Sequence, residues 1–492
     1  MDSVKELNFL NGKRVSARDV LRTIEKCNPA TGCLMFNIQC SGEKDVNEAV
    51  NSSRKAFDLW SRKSPRERGQ ILCSVARKIR TRVEEIAVAE VLDTGKPIYE
   101  ARIDILGCAD VLEYYGGISA SIRGYHHALS DNNFAMVQRE PLGVIGGIGA
   151  WNFPFQCMSW KVAPALACGN TVVYKPSEFT PTTSVILAEM FSEVGLPTGV
   201  LNIVQGSHET GELICRHPQI SKVTFTGSVG TGQKIIKSCA DTMKKVTVEL
   251  GGKSALLVFS DCDIENAVKA TLLGNFFTQG EVCTNCTRVF VQKTILKEFT
   301  KRLLEATKKL KVGDPMSEDT MVGAVISEAH GNKIMDYIDS ACKEGAIVSC
   351  GGEKIVPAEA HLKGFFISPC ILTDCSDDMK AVKEEIFGPV VSVMPFDCED
   401  EAVARANASP FGLAAGVMTR DLQRAHRVAS GLQAGIVWIN NYNIFPPEVP
   451  FGGYKMSGFG RENGLAAIED FTQLKTVYVE MNKDIDCPLY KS

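Results

Sequence analysis

From Val46 to Ala101, apolar residues return every three or four positions among many charges, as in AVNSSRKAFDLW and ILCSVARKIRTRVEEIAVAEVL. That spacing predicts two or three amphipathic helices forming an outer cover. From about 141 to 260 the rhythm changes to short apolar runs alternating with helical ones: GVIGGIGA, NTVVYKP, TTSVILAEMFSEVG, GVLNIVQG, ISKVTFTGS and VTVEL. Strands and helices in alternation predict a parallel sheet wrapped by helices. A second series, from about 257 to 450, carries TRVFVQ, VSVMPF and GIVWINN as strands between helices such as LKEFTKRLLEATKKL, which predicts a second α/β domain. The tail LKTVYVEM reads as a late strand that pairs with an edge or another chain.

One stretch resists this scheme. Residues 141–160, PLGVIGGIGAWNFPFQCMSW, carry no charge over roughly the length that spans a bilayer. Their glycines, prolines, Asn152 and Gln156 suit a buried strand running into an irregular loop, and such loops line sites. No membrane partner is expected.

Composition narrows the function classes. A chain of 492 residues is long enough for about three domains. Its formal charge of -4 gives no reason to expect nucleic acid. Eighteen cysteines, many in apolar runs such as ILCSVA and PALACGN, read as small buried hydrophobes in a reducing compartment. The first residues, MDSVKELNFLNGKRVSARDV, lack the apolar core of a signal peptide and the acid-poor pattern of a transit peptide, so a cytoplasmic location is expected.

Chemistry enters at GEVCTNCTRV, where Cys283 and Cys286 stand in C-x-x-C spacing. A metal site needs further ligands nearby, and neither a second C-x-x-C nor a His pair follows, so no metal is expected. A redox dithiol and a single nucleophile beside a bystander both remain open. Elsewhere, KVTFTGSVGTGQKIIKSCA reads as strand, glycine-rich turn and helix, an arrangement that aims backbone N–H groups at a phosphate. GGKS at 251–254 is not a P-loop, because Thr247 stands where that motif requires glycine.

The runs FTGSVGTG, VTVELGGKS, FFTQGEVCTN, KEEIFGPV and PFGGYKMSGFGREN, with GAWNFPF and VVYKPSEFTP upstream, resemble the NAD(P)-dependent aldehyde dehydrogenase superfamily over nearly the whole chain. The resemblance implies an α/β fold. It would comprise a Rossmann-like NAD domain (1–120 and 141–256), an α/β catalytic domain (257–460), and a bridging oligomerisation element (121–140 and 461–492). A homotetramer is implied as well.

It also implies roles for particular residues. Cys283 matches the family's nucleophile, whose thiolate adds to an aldehyde, yields a hydride from the adduct and leaves a thioester. Cys286 stands where a small residue is usual, which leaves an internal disulfide open beside the simpler reading of an inert thiol. Glu249, in ELGG, matches the general base that activates water, and Asn152 matches the side-chain donor of the oxyanion hole. Lys175 and Glu178 match contacts to the adenosine ribose, which favours NAD over NADP. Gly227 and Ser228 match the pyrophosphate turn, and Glu385 and Phe387 the contacts to the nicotinamide side.

PALACGN, WINNYN and GGYKMSGFGRENG resemble the branch that oxidises betaine aldehyde and trimethylaminobutyraldehyde. In that branch aromatic rings line the aldehyde tunnel, and Phe153, Trp160, Phe277, Tyr442, Phe445 and Phe451 are the matching positions. Ring faces are what a quaternary ammonium requires. The chain departs from the branch at Leu106, where a second acid after Asp104 is usual. A general aliphatic aldehyde dehydrogenase, a cysteine acyl hydrolase and a non-catalytic structural protein are the competing readings.

Overall fold

The computed structural model describes residues 5–482, 485 and 487–490; the other positions of the expected 1–120 and 461–492 segments lie outside the described residues. Among these residues the chain folds around two large sheets. In the first, five parallel strands run in the order Leu201–Ile203, Thr171–Lys175, Val144–Ile148, Ile220–Thr226 and Lys245–Glu249. The strand met first in the chain thus lies in the middle, and the order reverses direction between Val144–Ile148 and Ile220–Thr226. Crevices for ligands open beyond the strand ends at such a reversal. Antiparallel pieces finish both edges: Asn8–Leu10 with Lys13–Val15, and Gly458–Phe459.

The second sheet places Ala255–Val258 between Arg288–Gln292 and Ala414–Met418, with Val390–Phe396, Cys370–Thr373 and Ile436–Ile439 further out, all parallel. Its strands are continuous apolar runs because helices cover both faces. A third, three-stranded sheet pairs Phe134–Pro141 with Tyr125–Ala128 on one side and with Thr472–Val479 on the other. It carries exposed Tyr125, Met136, Leu474 and Tyr478.

The helical region holds more than the pattern predicts. Glu43–Arg62, Pro65–Thr81 and Val83–Thr94 are helices, and a fourth, Ile98–Ile118, follows. Pro65–Thr81 begins at a reciprocal cap in which Ser64 Oγ accepts from the Glu67 amide and the Glu67 carboxylate accepts from the Ser64 amide. Ile98–Ile118 is not outer cover. Ala101, Ile105, Cys108 and Leu112 on it are fully buried against Pro65–Thr81 and the helix Pro154–Ala167. In the uncharged stretch 141–160 only residues 149–153 separate the strand Val144–Ile148 from that helix, which starts at Pro154, where proline's fixed φ suits the first turn.

Candidate active site

A cavity of about 710 Å³ opens beyond the ends of Val144–Ile148 and Ile220–Thr226, where the strand order reverses. Lys175, Glu178, Gly227 and Ser228 line one end; Asn152, Glu249, Cys283, Glu385 and Phe387 line the other. All nine residues that the resemblance assigns to catalysis or cofactor binding therefore face one space.

At the first end, Lys175 is buried at the close of its strand. Its Nζ donates to the carbonyls of Pro176 (2.8 Å) and Gly206 (2.6 Å). An ammonium has three donors, so one proton is left for a ligand. Burial lowers the Lys175 pKa, with Glu178 at 3.9 Å opposing that shift. Ser228 caps the twelve-residue helix Val229–Ala240, accepting from the Thr231 amide at 3.4 Å, and the first N–H groups of that helix point toward the cavity mouth.

At the other end, the loop carrying Cys283 leads into the second sheet, and Glu249 comes from the first. Glu249 ends the strand Lys245–Glu249, and Cys283 lies between the helix Ile264–Phe276 and the strand Arg288–Gln292. The two segments touch at Gly252, where a Cβ would come within 2.6 Å of the Cys283 carbonyl oxygen. Gly251 is as constrained, since a Cβ there would meet Glu385 Oε2 at 2.1 Å. The pair of glycines in ELGGKS therefore lets Glu385 approach, and Glu385 Oε1 accepts from the Gly252 amide at 3.0 Å. Of the KEE run, Glu384 faces solvent while Glu385 turns inward, and burial pushes its pKa up to about 7.

Cys283 is half-buried. Burial, then the nearby carboxyls of Glu385 and Glu249, push its thiol pKa well up. Glu249 is 2% exposed, neither carboxyl oxygen has a hydrogen-bond partner, and burial and Glu462 raise its pKa well above the ordinary carboxylate range. A thiolate and two carboxylates at one end of the cavity would repel one another, which adds to burial in the upward shift of Cys283, as the Glu462 carboxylate does for Glu249. Asn152 Nδ2 donates to the Glu281 carbonyl at 2.9 Å, leaving its second N–H for a ligand.

The two cysteines part company. Cys286 Sγ lies in the core of the second sheet, where it accepts from Asn275 Nδ2 at 3.4 Å and donates to the Gly274 carbonyl at 3.6 Å. Cys283 packs at the rim of a different apolar cluster. Both thiols are free, and burial pushes that of Cys286 up to about 12. A redox dithiol does not fit this arrangement.

The six aromatic positions also divide. Trp160, Phe451 and Phe445 meet edge-to-face at centroid distances of 5.1–6.2 Å, beside the cluster on whose rim Cys283 sits. Trp438, absent from the sequence reading, continues the chain of rings 5.5 Å from Phe445. Tyr442 is no tunnel wall: it is fully buried, its hydroxyl donates to the Thr284 carbonyl at 2.8 Å, and the bare Cα atoms of Gly274 and Gly416 make room for its ring. Phe277 ends the helix Ile264–Phe276 half-buried, and stands apart from the ring cluster. The Phe153 ring carries the ammonium of Lys96 4.0 Å from its centroid. Lys96 also donates to Asp104 at 2.5 Å, so this acid is already paired. Leu106 is largely exposed.

Four residues beside the site carry no sequence signal of their own. Lys161 bridges Thr226 and Glu462 behind Glu249. Glu281 and His330 brace the wall next to Asn152 and Phe387. Only their fixed offsets from known motifs could have flagged them.

Comparison with known proteins agrees with this geometry. Residues 15–477 match the model of the aldehyde dehydrogenase family. The chain is 54% identical over 476 residues to human 4-trimethylaminobutyraldehyde dehydrogenase, covering 96% of each. Among solved structures, betaine aldehyde dehydrogenase from Staphylococcus aureus in complex with NAD+ aligns with a TM-score of 0.94 at 36% identity, over 99% of this chain and 97% of that one. An NAD-dependent aldehyde dehydrogenase from Sinorhizobium meliloti aligns with a TM-score of 0.95 at 39% identity, over 100% and 97%. With a nucleophilic thiol, a buried carboxyl and a side-chain amide gathered at the strand reversal, and with this breadth of likeness, the chain belongs to the aldehyde dehydrogenase family.

Proposed function

We propose that this chain oxidises an aldehyde bearing a trimethylammonium group, 4-trimethylaminobutyraldehyde or betaine aldehyde, to its carboxylate with NAD. The observation that carries this reading is the shared cavity: the Cys283 thiol, the Glu249 carboxyl and the Asn152 amide line one end, and Lys175, Glu178, Gly227 and Ser228 line the other. Lys175 and Glu178 would hold the adenosine ribose, Gly227 and Ser228 the pyrophosphate, and Glu385 with Phe387 the nicotinamide side. NAD, when bound, supplies the hydride acceptor.

Cys283 gives its proton to solvent and its sulfur adds to the aldehyde carbon, the C=O pair moving onto oxygen to form the thiohemiacetal oxyanion. The free N–H of Asn152 and the Cys283 amide receive the developing oxyanion, a task for preorganised donors in a dry site. Loss of hydride leaves a thioester on Cys283. Glu249, once it has released its own proton to solvent, removes a proton from water, which attacks the thioester and releases the carboxylate, the departing sulfur taking up a proton to restore the thiol.

The substrate assignment draws on the names of the relatives and on the rings Trp160, Phe445 and Phe451. The NAD domain (1–120, 141–256) and catalytic domain (257–460) belong to this proposal, as do the cytoplasmic location and the homotetramer. For the last, exposed Tyr125, Leu474 and Tyr478 share one face of the third sheet and supply its apolar surface, with Met136 on the opposite face.

The test compares NADH formation from 4-trimethylaminobutyraldehyde with that from its uncharged tert-butyl analogue. Each desolvated cation–ring contact contributes ~0.5–2 kcal/mol, so two or three should favour the cation by about 10–100-fold in kcat/KM. Equal values would support a general aliphatic aldehyde dehydrogenase. That second reading draws on the pairing of Asp104 and Phe153 with Lys96, which leaves neither free for a substrate cation.

A further inference from the structure

One wall of the cavity has no role in the scheme above. Glu281, two residues before Cys283, is buried with three contacts: Oε1 accepts from the Ile326 amide at 3.0 Å, Oε2 accepts from Gln279 Nε2 at 2.9 Å, and the backbone carbonyl accepts from Asn152. Beyond its carboxyl stands His330, whose Nε2 is 3.7 Å from Oε1 and 2.7 Å from the Phe387 carbonyl. A carbonyl only accepts, so Nε2 carries the proton. Burial lowers the His330 pKa to about 4, which keeps the ring neutral.

Phe387 needs such a tie. Its φ is +60°, in the left-handed region that a residue with a side chain adopts only when held there. Trp151 completes the wall, its indole meeting the His330 ring at 5.4 Å and the Phe387 ring at 5.2 Å, both edge-to-face. All three line the cavity.

We propose that His330 is a positioning residue for the cofactor: its Nε2–H, donated to the Phe387 carbonyl, locks the left-handed backbone that presents the Phe387 ring to the cavity, with Trp151 packed against both rings. The inference rests on the reading of Phe387 as a nicotinamide-side contact.

The test uses two amides that differ in reach. In His330→Gln the side-chain N–H falls near the position of Nε2; in His330→Asn it falls near Nδ1, too short for Phe387. NAD affinity is measured by titration calorimetry, and KM for NAD and for aldehyde by NADH formation. The asparagine variant should bind NAD about five- to tenfold more weakly, the scale of one lost hydrogen bond, with KM for aldehyde within twofold of wild type. The glutamine variant should stay within about twofold of wild type for both. If the asparagine variant shows no cooperative melt, His330→Leu replaces it in the same comparison. Equal NAD affinity in the long- and short-reach variants overturns the lock. Wild type that binds no NAD overturns the cofactor reading itself, and the lock with it.

Discussion

The side-chain amide of Asn152 and the backbone carbonyl of Glu281 are joined by a 2.9 Å hydrogen bond that ties the loop after the strand Val144–Ile148 to the loop carrying Cys283. One amide proton is thereby committed to holding the other where an oxyanion would form. Asn152→Ala should lower kcat by roughly 10²–10³-fold, the usual scale for one oxyanion donor. NAD affinity should hardly change. A loss below about tenfold in steady-state assays would return Asn152 to a turn-forming role.

Because Cys283 and Cys286 sit in separate apolar clusters, their variants should behave differently. Cys283→Ala abolishes NADH formation, whereas Cys286→Ala retains most of it. Equal losses in the two variants would contradict the single-nucleophile mechanism.

In the proposed scheme Glu249 acts after hydride transfer, so Glu249→Gln should slow thioester hydrolysis by ~10²–10⁴-fold while acylation still occurs. Mass spectrometry of the variant during turnover should show Cys283 carrying the acyl group. An unmodified cysteine would remove Glu249 from this step.

A fourth expectation concerns pH. Glu90 is fully buried beside Lys96 (3.8 Å), its oxygens have no hydrogen-bond partner, and burial raises its pKa to about 7. The folded state therefore holds this proton more tightly than the unfolded chain does. The resulting stability is complete below about pH 4.5 and is lost as pH rises through about 7. Glu90→Gln keeps the neutral shape at every pH. Wild type should lose Tm relative to this variant between pH 5 and pH 8, by about 2 °C or more. Parallel Tm curves would show that Glu90 does not titrate in this range.

Much of the fold is written in local periodicity. Strands such as VTVEL and VSVMPF stand out because an apolar run bounded by turn residues has few other uses. The strand order is not local: it depends on pairings such as that of Val144–Ile148 with Ile220–Thr226, between segments far apart in the chain. Of the N-terminal strands, Val20–Cys27 carries no apolar signal because it is exposed along most of its length, whereas its partner Leu34–Ser41 does alternate, burying Phe36, Ile38 and Cys40. At the site, long motifs singled out nine residues that line one cavity. The aromatic positions were not separable by sequence, since a ring against substrate and a ring in a core have the same letter. Tyr442 is core because Gly274 and Gly416 leave a slot for it, and Phe153 is occupied because Lys96, on a distant segment, lies against it.

Glu249 closes one sheet and Ala255 opens the other, with only residues 250–254 between them. Turnover therefore acts as a gauge of how the two cores dock. A shift of an ångström along this seam would part Glu249 from Cys283, even though one apolar cluster reaches across it, with Leu413 and Ile436 packed among residues of the first sheet. On slow heating, enzymatic activity should fade before the far-ultraviolet circular dichroism does, as expected when local opening precedes global unfolding.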